Sequence, residues 1–360
     1  MKYRFGSFNM NNMGMSAMTG RDFDRIAEII KRENLDVVAL QEILSEGKAL
    51  EKLLEDRVKY CLKDWNVCWA KPPESSDIQK TKDNRGEGYA YLWNTKRLKF
   101  ASSSTAKGER VYNPRTINEA LRYDCTMFAR TPYYARFVPV NGGFFEFRLI
   151  NVHLHFGNNT IAQIEKRREE YDYLIDTVYP SISKERRYGN NRPAYTIVMG
   201  DYNLNLIMPA GTSRGDTKNR TIIEGKKTVG DQRIITVQYE LTTLKRPDKD
   251  ETVDDDNPNR GYSQNYDHFS FDIGLLERDG IGYECNRIDA VRKYCNDDFE
   301  LYHKATLCAI SKSGYCAHSA HNAEHKFAGF HNKTDASAGK AKIPLFILEK
   351  LCYNSIAKFF

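Results

Sequence analysis

Residues 196–205 read Thr-Ile-Val-Met-Gly-Asp-Tyr-Asn-Leu-Asn (TIVMGDYNLN), a strand-like run that passes straight into Gly200, Asp201 and Asn203. Glycine, aspartate and asparagine are ordinary turn formers, so this change alone says only that a strand ends here. The same change recurs along the chain. Asp36–Gln41 (DVVALQ) is an almost unbroken apolar run, as in a central strand covered on both faces, and Glu42 closes it. Tyr3–Asn9 reads as a strand that finishes on Asn9. In LINVHLHF, residues 149–156, alternation of period two puts His153 and His155 on one face. A rigid sheet aims the side chains at its strand ends, where acid–base or metal chemistry would need carboxylates, amides and imidazoles.

Between these runs lie helical patterns. Asp22–Glu33 (DFDRIAEIIKRE) puts Phe23, Ile26, Ile29 and Ile30 on one face behind an acidic first turn. Longer helical stretches are expected at Gly47–Val58 and Ile161–Val178, and further strands at Tyr89–Trp93, Thr126–Val138, Phe144–Leu154, Thr196–Met199 and Phe269–Ile273. Lys71–Arg85, Pro209–Asp231 and Arg246–Asn265 read as loops, the last carrying the acidic run Asp254–Asp256. Strands alternating with helices predict an α/β fold, with helices packed outside two stacked sheets.

A chain of 360 residues, 41% hydrophobic, 28% charged and 12% aromatic, has the composition of a globular protein. The net charge of +6 suits a polyanionic partner such as nucleic acid or an acidic membrane, and suits plain solubility equally well. Eight cysteines are scattered without tight spacing, and the start MKYRFGSFNM does not resemble a secretory signal. The sequence therefore predicts a cytoplasmic monomer with reduced thiols and no stable membrane anchor. Cys308, Cys316, His318 and His321 match no standard zinc knuckle.

Taken together and in order, SFNMNN, DVVALQE, GEGYAYLWN, MFARTPYYARF, LINVHLH, IVMGDYNLN and NYDHFSFD resemble the motifs of the endonuclease/exonuclease/phosphatase superfamily, most closely its deoxyribonuclease I-like bacterial nucleases. The resemblance implies a four-layer α-β-β-α sandwich of two mixed sheets over residues 1–330. It also implies a magnesium-dependent phosphodiesterase, with manganese or calcium as alternative cations, acting on nucleic acid and in particular double-stranded DNA. By matched position, Glu42 resembles the principal metal carboxylate, assisted by Asn9. Asp201 and Asn203 resemble the pair that handle the attacking water and the scissile phosphate. His153 matches the first catalytic histidine and Glu87 the carboxylate that orients it. Arg130 resembles a phosphate-binding arginine, a role suited to a planar bidentate donor. Asp267 resembles the carboxylate behind the second histidine, His321, whereas His268 should point to the other sheet face.

The last motif departs from the pattern. Where the family ends on Ser-Asp-His and a short strand, this chain has Ser319-Ala320-His321 followed by Lys326–Phe330. Losing that aspartate removes a negative charge and two ligand oxygens, so reduced activity is expected. Either the position was engineered to disable the enzyme, or the lineage holds its metal without it, or the motif lies in another register offered by His318 or His325. The tail, residues 331–360, is expected to be helical and packed on the domain. An interfacial segment of a lipid phosphodiesterase is the alternative. An inositol-phosphate phosphatase or a degenerate binding module also stays open. Arg110, Arg115, Lys184, Arg186, Arg187, Arg214, Lys218, Arg220, Lys226 and Lys227 are candidates for phosphate contact on the rim.

Overall fold

The computed structural model describes residues 2–14, 23–44, 50–51, 62–70, 87–102, 113–122, 125–157, 160–185, 193–207, 220–244, 262–288 and 353–359. Its strands, in chain order, begin with β1 (Tyr3–Met13), β2 (Val37–Ile43), β3 (Trp65–Ala70), β4 (Gly88–Asn94), β5 (Leu98–Phe100) and β6 (Arg115–Thr116). Next come β7 (Tyr133–Pro139), β8 (Glu146–His153), β9 (Ala194–Asp201), β10 (Lys226–Val229) and β11 (Gln232–Val237). The last are β12 (Thr243–Leu244), β13 (Tyr262–Gln264), β14 (Asp267–Asp272), β15 (Tyr283–Arg287) and β16 (Tyr353–Phe359). Helices are α1 (Phe23–Arg32), α2 (Ile117–Leu121), α3 and α4 (Ile273–Arg278). Helix α3 starts as Ile161–Tyr173, passes through a wider π turn at Leu174–Val178 and finishes as Tyr179–Lys184.

Six strands form one sheet in the order β15-β16-β1-β2-β4-β3, and eight form the second, β10-β11-β14-β9-β8-β7-β5 with β6 beside β7. Both sheets are mixed, because β1 runs parallel to β2 and β8 parallel to β9 while the other pairs are antiparallel. Alternation assigns the faces. Phe5, Val37, Ala39, Tyr91, Phe147, Leu149, Ile197, Met199, Phe269 and Phe271 fill the space between the sheets. Outward residues of the first sheet, including Phe8, Val38 and Leu40, pack under Ile26, Ile29 and Ile30 of α1. Ile150, Val152 and Val198 of the second pack under Ile164, Leu174, Ile175 and Val178 of α3. The result is the expected four layers.

Three local expectations change. Thr126–Arg130 is not strand; β7 begins only at Tyr133, and Phe128 leaves the sheet to pack in the cluster beneath α3. Lys226–Val229, expected in a loop, is β10 and pairs with β11. The tail is the largest correction: Tyr353–Phe359 is a strand, antiparallel to β1 from Tyr3↔Phe359 to Asn9↔Tyr353, and not a helix. Its apolar residues were read at helical spacing, but a seven-residue ladder to β1 satisfies the backbone there. No helix among the described residues is long and apolar enough to cross a membrane.

Candidate functional site

The inward rows of both sheets turn polar at one end. Along β8 the row reads Phe147, Leu149, Asn151, His153; along β9, Ile197, Met199, Asp201. Strand β14, antiparallel to β9, brings Asp267 to the same end, opposite Asp201, while His153 pairs with Asp201 from the other side. In the first sheet, the regular parallel pairing of β1 with β2 runs to Asn9↔Gln41 before the register shifts, and antiparallel β4 starts beside Glu87 there. Six strands thus deliver their polar ends to one mouth of the interlayer space.

Three backbone features make this possible. Gly200 has φ +150°, and a Cβ on it would sit 2.0 Å from the carbonyl oxygen of Val152, so only glycine lets β8 and β9 approach this closely. Glu42 and Asn203 are left-handed, at φ 58° and 51°, a conformation that costs a non-glycine residue energy and that clusters at functional sites. Registers of β2 with β1 and with β4 shift around Glu42, the kind of irregularity that re-aims a side chain.

One amide joins the sheets. Asn9 Nδ2 donates to Glu42 Oε1 at 2.9 Å and to Asp201 Oδ2 at 3.1 Å. Asp201 Oδ1 accepts the backbone N–H of Asn203 at 2.9 Å, and Asn203 Nδ2 donates to the carbonyl of Leu154 at 2.9 Å. Burial pushes the Asp201 carboxyl up to about 6 against those bonds, and burial together with the Asp201 charge pushes Asp267 well above the usual carboxylate range. The hydroxyl of Thr242 accepts the Asp267 backbone N–H at 3.1 Å.

Glu87 faces two partners, forming an ion pair with Arg130 Nε and standing 3.5 Å from His153 Nδ1. Arg130 Nη1 also reaches the Leu154 carbonyl at 3.4 Å, and the Tyr89 hydroxyl accepts the His153 backbone N–H at 3.1 Å. Burial, followed by the Arg130 charge, holds the His153 imidazole well below its ordinary value. Glu87 alone would favour the protonated ring, but the desolvation and the guanidinium outweigh that one carboxylate.

Of the predicted site residues, Asn9, Glu42, Glu87, Arg130, His153, Asp201, Asn203 and Asp267 come together here. Ser319, Ala320 and His321, the zinc candidates Cys308, Cys316 and His318, and the acidic run Asp254–Asp256 lie outside the described residues. His268 points away as expected, its ring Nε2 donating to the Leu204 carbonyl at 2.9 Å. His155 is held by the side chain of Gln163. Four of the proposed rim cations are engaged elsewhere: Arg115 with Glu185, Lys184 with Asp231, Arg220 with Glu165, and Lys227 with Asp172 and Asp176.

The sequence reading missed the groups that brace the site. Asn151 crosses between the sheets, accepting from Gln41 Nε2 at 2.7 Å and donating to the carbonyls of Leu40 at 2.9 Å and Ala90 at 3.1 Å. Its inward place in LINVH, two residues before His153, was the available signal. Among the described residues no group of three histidine, cysteine, aspartate or glutamate side chains is already arranged around a cation position.

Two mixed sheets with helices outside, opening on clustered carboxylates beside an arginine and a histidine, define a class of hydrolases that act on phosphate esters. A family model described as the Endonuclease/Exonuclease/phosphatase family matches residues 6–270, and the chain belongs to that family. Solved structures of the same fold include D. rerio TDP2 complexed with single strand DNA product, at 13% identity and a TM-score of 0.51, covering 100% of this chain and 99% of that one. Weaker similarity is found to ANGEL2, a 2',3'-cyclic phosphatase (12% identity, TM-score 0.43, 78% of this chain and 86% of that one covered), and to an endonuclease/exonuclease/phosphatase family protein from Leptotrichia buccalis C-1013-b (14%, 0.38, 75% and 87%). No curated protein matches the sequence.

Proposed function

We propose that this chain hydrolyses phosphodiester bonds in DNA as a magnesium-dependent endonuclease, leaving 5′-phosphate ends. The observation that carries this reading is the Asn9 amide between Glu42 of one sheet and Asp201 of the other, beside the buried Asp201–Asp267 pair. Glu42 and Asn9 offer oxygen donors close to two further carboxylates, Asp201 and Asp267, and a hard cation would relieve that concentration of negative charge, so the residues fit magnesium and, in the same class, manganese or calcium. Glu42 and Asn9 would hold the ion; once bound, it would neutralise phosphate charge and make water a better nucleophile.

The chain's own groups supply the rest. Arg130 offers a guanidinium to the phosphate oxygens. Asp201, with its carboxyl near 6, can take a proton from attacking water close to neutral pH, with Asn203 fixing its orientation. His321, which the motif resemblance pairs with Asp267, is the second candidate for that step. Water adds its oxygen to phosphorus, the P–O3′ bond breaks, and the 3′ oxygen leaves with a proton from His153. Burial chiefly, and the Arg130 charge second, hold the His153 imidazole low; a substrate phosphate beside Arg130 would offset the second of these and so favour the protonated ring.

Supercoiled plasmid, single-stranded DNA and RNA, each incubated with magnesium, manganese, calcium or EDTA, test the reading. Metal-dependent nicking of plasmid, lost in Glu42→Gln and Asp201→Asn by about 100-fold or more, is expected. If neither this chain nor Ala320→Asp cleaves any of these polymers with any cation, the reading fails.

A further inference from the structure

Helix α3 turns two charged side chains into the protein: Arg167 and Glu170 are each only 1% exposed. Burying a charge costs free energy unless strong hydrogen bonds compensate, so such residues are poor choices for stability alone. Here the compensating groups belong to the backbone around the site. Glu170 accepts the Ala129 N–H at 2.6 Å through one oxygen and the His155 N–H at 2.7 Å through the other. Arg167 donates to the carbonyl of Asn203 at 3.1 Å and to that of Gly157 at 3.0 Å.

These four backbone groups flank the residues assigned to the chemistry. Ala129 precedes Arg130, His155 and Gly157 follow His153, and Asn203 is itself in the site. They also converge on one segment. The Leu154 carbonyl receives Arg130 Nη1 and Asn203 Nδ2, and the Leu154 N–H donates to the Asp201 carbonyl at 2.9 Å. A shift of residues 154–157 would therefore displace the arginine, the histidine and the asparagine together.

We propose that Arg167 and Glu170 are positioning residues, a pair of buried charges one helical turn apart through which α3 holds the Arg130 loop, the exit of β8 and the Asp201–Asn203 turn in register. The inference rests on the phosphodiesterase reading for the meaning of that register. Its geometry is independent of the reaction. Spacing of three residues puts both side chains on one helix face, and their opposite charges suit opposite backbone groups: a carboxylate for two N–H donors, a guanidinium for two carbonyls.

The test combines kinetics with amide hydrogen exchange on Arg167→Ala, Arg167→Lys, Glu170→Ala and Glu170→Gln in the full chain. On a short DNA substrate with magnesium, the alanine variants should lose about 10- to 100-fold in kcat, as misplacement by about 1 Å does. KM should stay within about threefold, and Arg167→Lys should recover part of the loss. In Glu170→Ala and Glu170→Gln, exchange at the Ala129 and His155 amides should speed up by about tenfold or more while the amides of β8 and β9 keep their protection. A loss of kcat explained wholly by a lower folded fraction in thermal melts would overturn the proposal, as would unchanged kcat or unchanged exchange at those two amides. If neither the parent chain nor Ala320→Asp cleaves a phosphodiester, the functional reading fails separately, and the exchange measurements alone decide whether the clamp exists.

Discussion

Asp201 and Asp267 stand directly opposite each other on antiparallel β9 and β14, both buried, with no strand between them to separate their charges. Burial drives Asp201 up to about 6 and raises Asp267 further still with the help of the Asp201 charge. A carboxyl whose folded value exceeds its unfolded 3.8 stabilises the protein most below that lower value and loses the contribution as pH rises through the upper one. For Asp201 the window is roughly pH 4 to 6, and the loss is on the order of 3 kcal/mol. Urea unfolding in EDTA should therefore show stability falling across this window. Asp267→Asn should flatten the slope and raise stability at pH 7 while abolishing cleavage. A parent chain whose stability climbs between pH 4 and 6, or an Asp267→Asn variant with the parent's slope, would sink the argument.

Under the proposed function, the same repulsion favours binding of a cation. At pH 7, magnesium or manganese should raise the thermal midpoint, because a ion that binds only the folded state stabilises it by mass action. Glu42→Gln and Asn9→Ala should weaken the response. Equal shifts in parent and variants would place the cation elsewhere.

Glu87 links Arg130 to His153, so its removal should alter the pH profile as well as the rate. Glu87→Gln keeps the shape and removes the charge. The guanidinium then acts on His153 without its counter-ion, driving an imidazole already held low further down. We expect kcat to fall about 10- to 100-fold at neutral pH, with the optimum displaced to lower pH. A variant with the parent's profile would show that Glu87 does not govern the histidine.

Gly200→Ala should be among the most damaging single substitutions. The added methyl would lie 2.0 Å from the Val152 carbonyl oxygen at φ +150°, so β8 and β9 must part. A cost of about 3 kcal/mol or more is expected, read as a lowered thermal midpoint. Because His153 and Asp201 are paired across those strands, any folded remainder should cleave poorly. An unchanged midpoint would refute the close-approach account.

The sequence exposed the site where burial forced a pattern. Asn9, Glu42, His153 and Asp201 stand out because each follows or interrupts an apolar strand run, whereas Glu87, Arg130 and Asp267 came only with the motif resemblance. Arg167 and Glu170 stayed hidden in IEKRREE, where charges at helical spacing look like a solvated face; only the tertiary position of α3 buries them. Thr126–Arg130 was misread because Met127 and Phe128 have strand-like character, although Glu170 takes the Ala129 N–H that a ladder would have used. Strand β16 was misread because its partner β1 lies some 350 residues away, and no local periodicity reports a pairing that distant.

The motif resemblance assigns Ala320 to the same site as these charges. The motif resemblance puts an aspartate at this position, and the described part of the site already supplies Glu42, Asp201 and Asp267. If the remaining three suffice, restoring a fourth carboxylate adds repulsion, weakens the folded protein without cation and leaves cleavage unchanged. If cation binding is limiting, the added charge tightens it more than it destabilises the apo form, because a divalent ion offsets the repulsion on binding. The second outcome follows from a principal carboxylate, Glu42, that is itself part-exposed and already bonded to Asn9. Ala320→Asp should therefore lower the apo thermal midpoint, bind magnesium about tenfold or more tightly in calorimetric titration, and nick plasmid faster. Equal magnesium affinity and equal turnover in the two forms would show that position 320 plays no part in holding the cation.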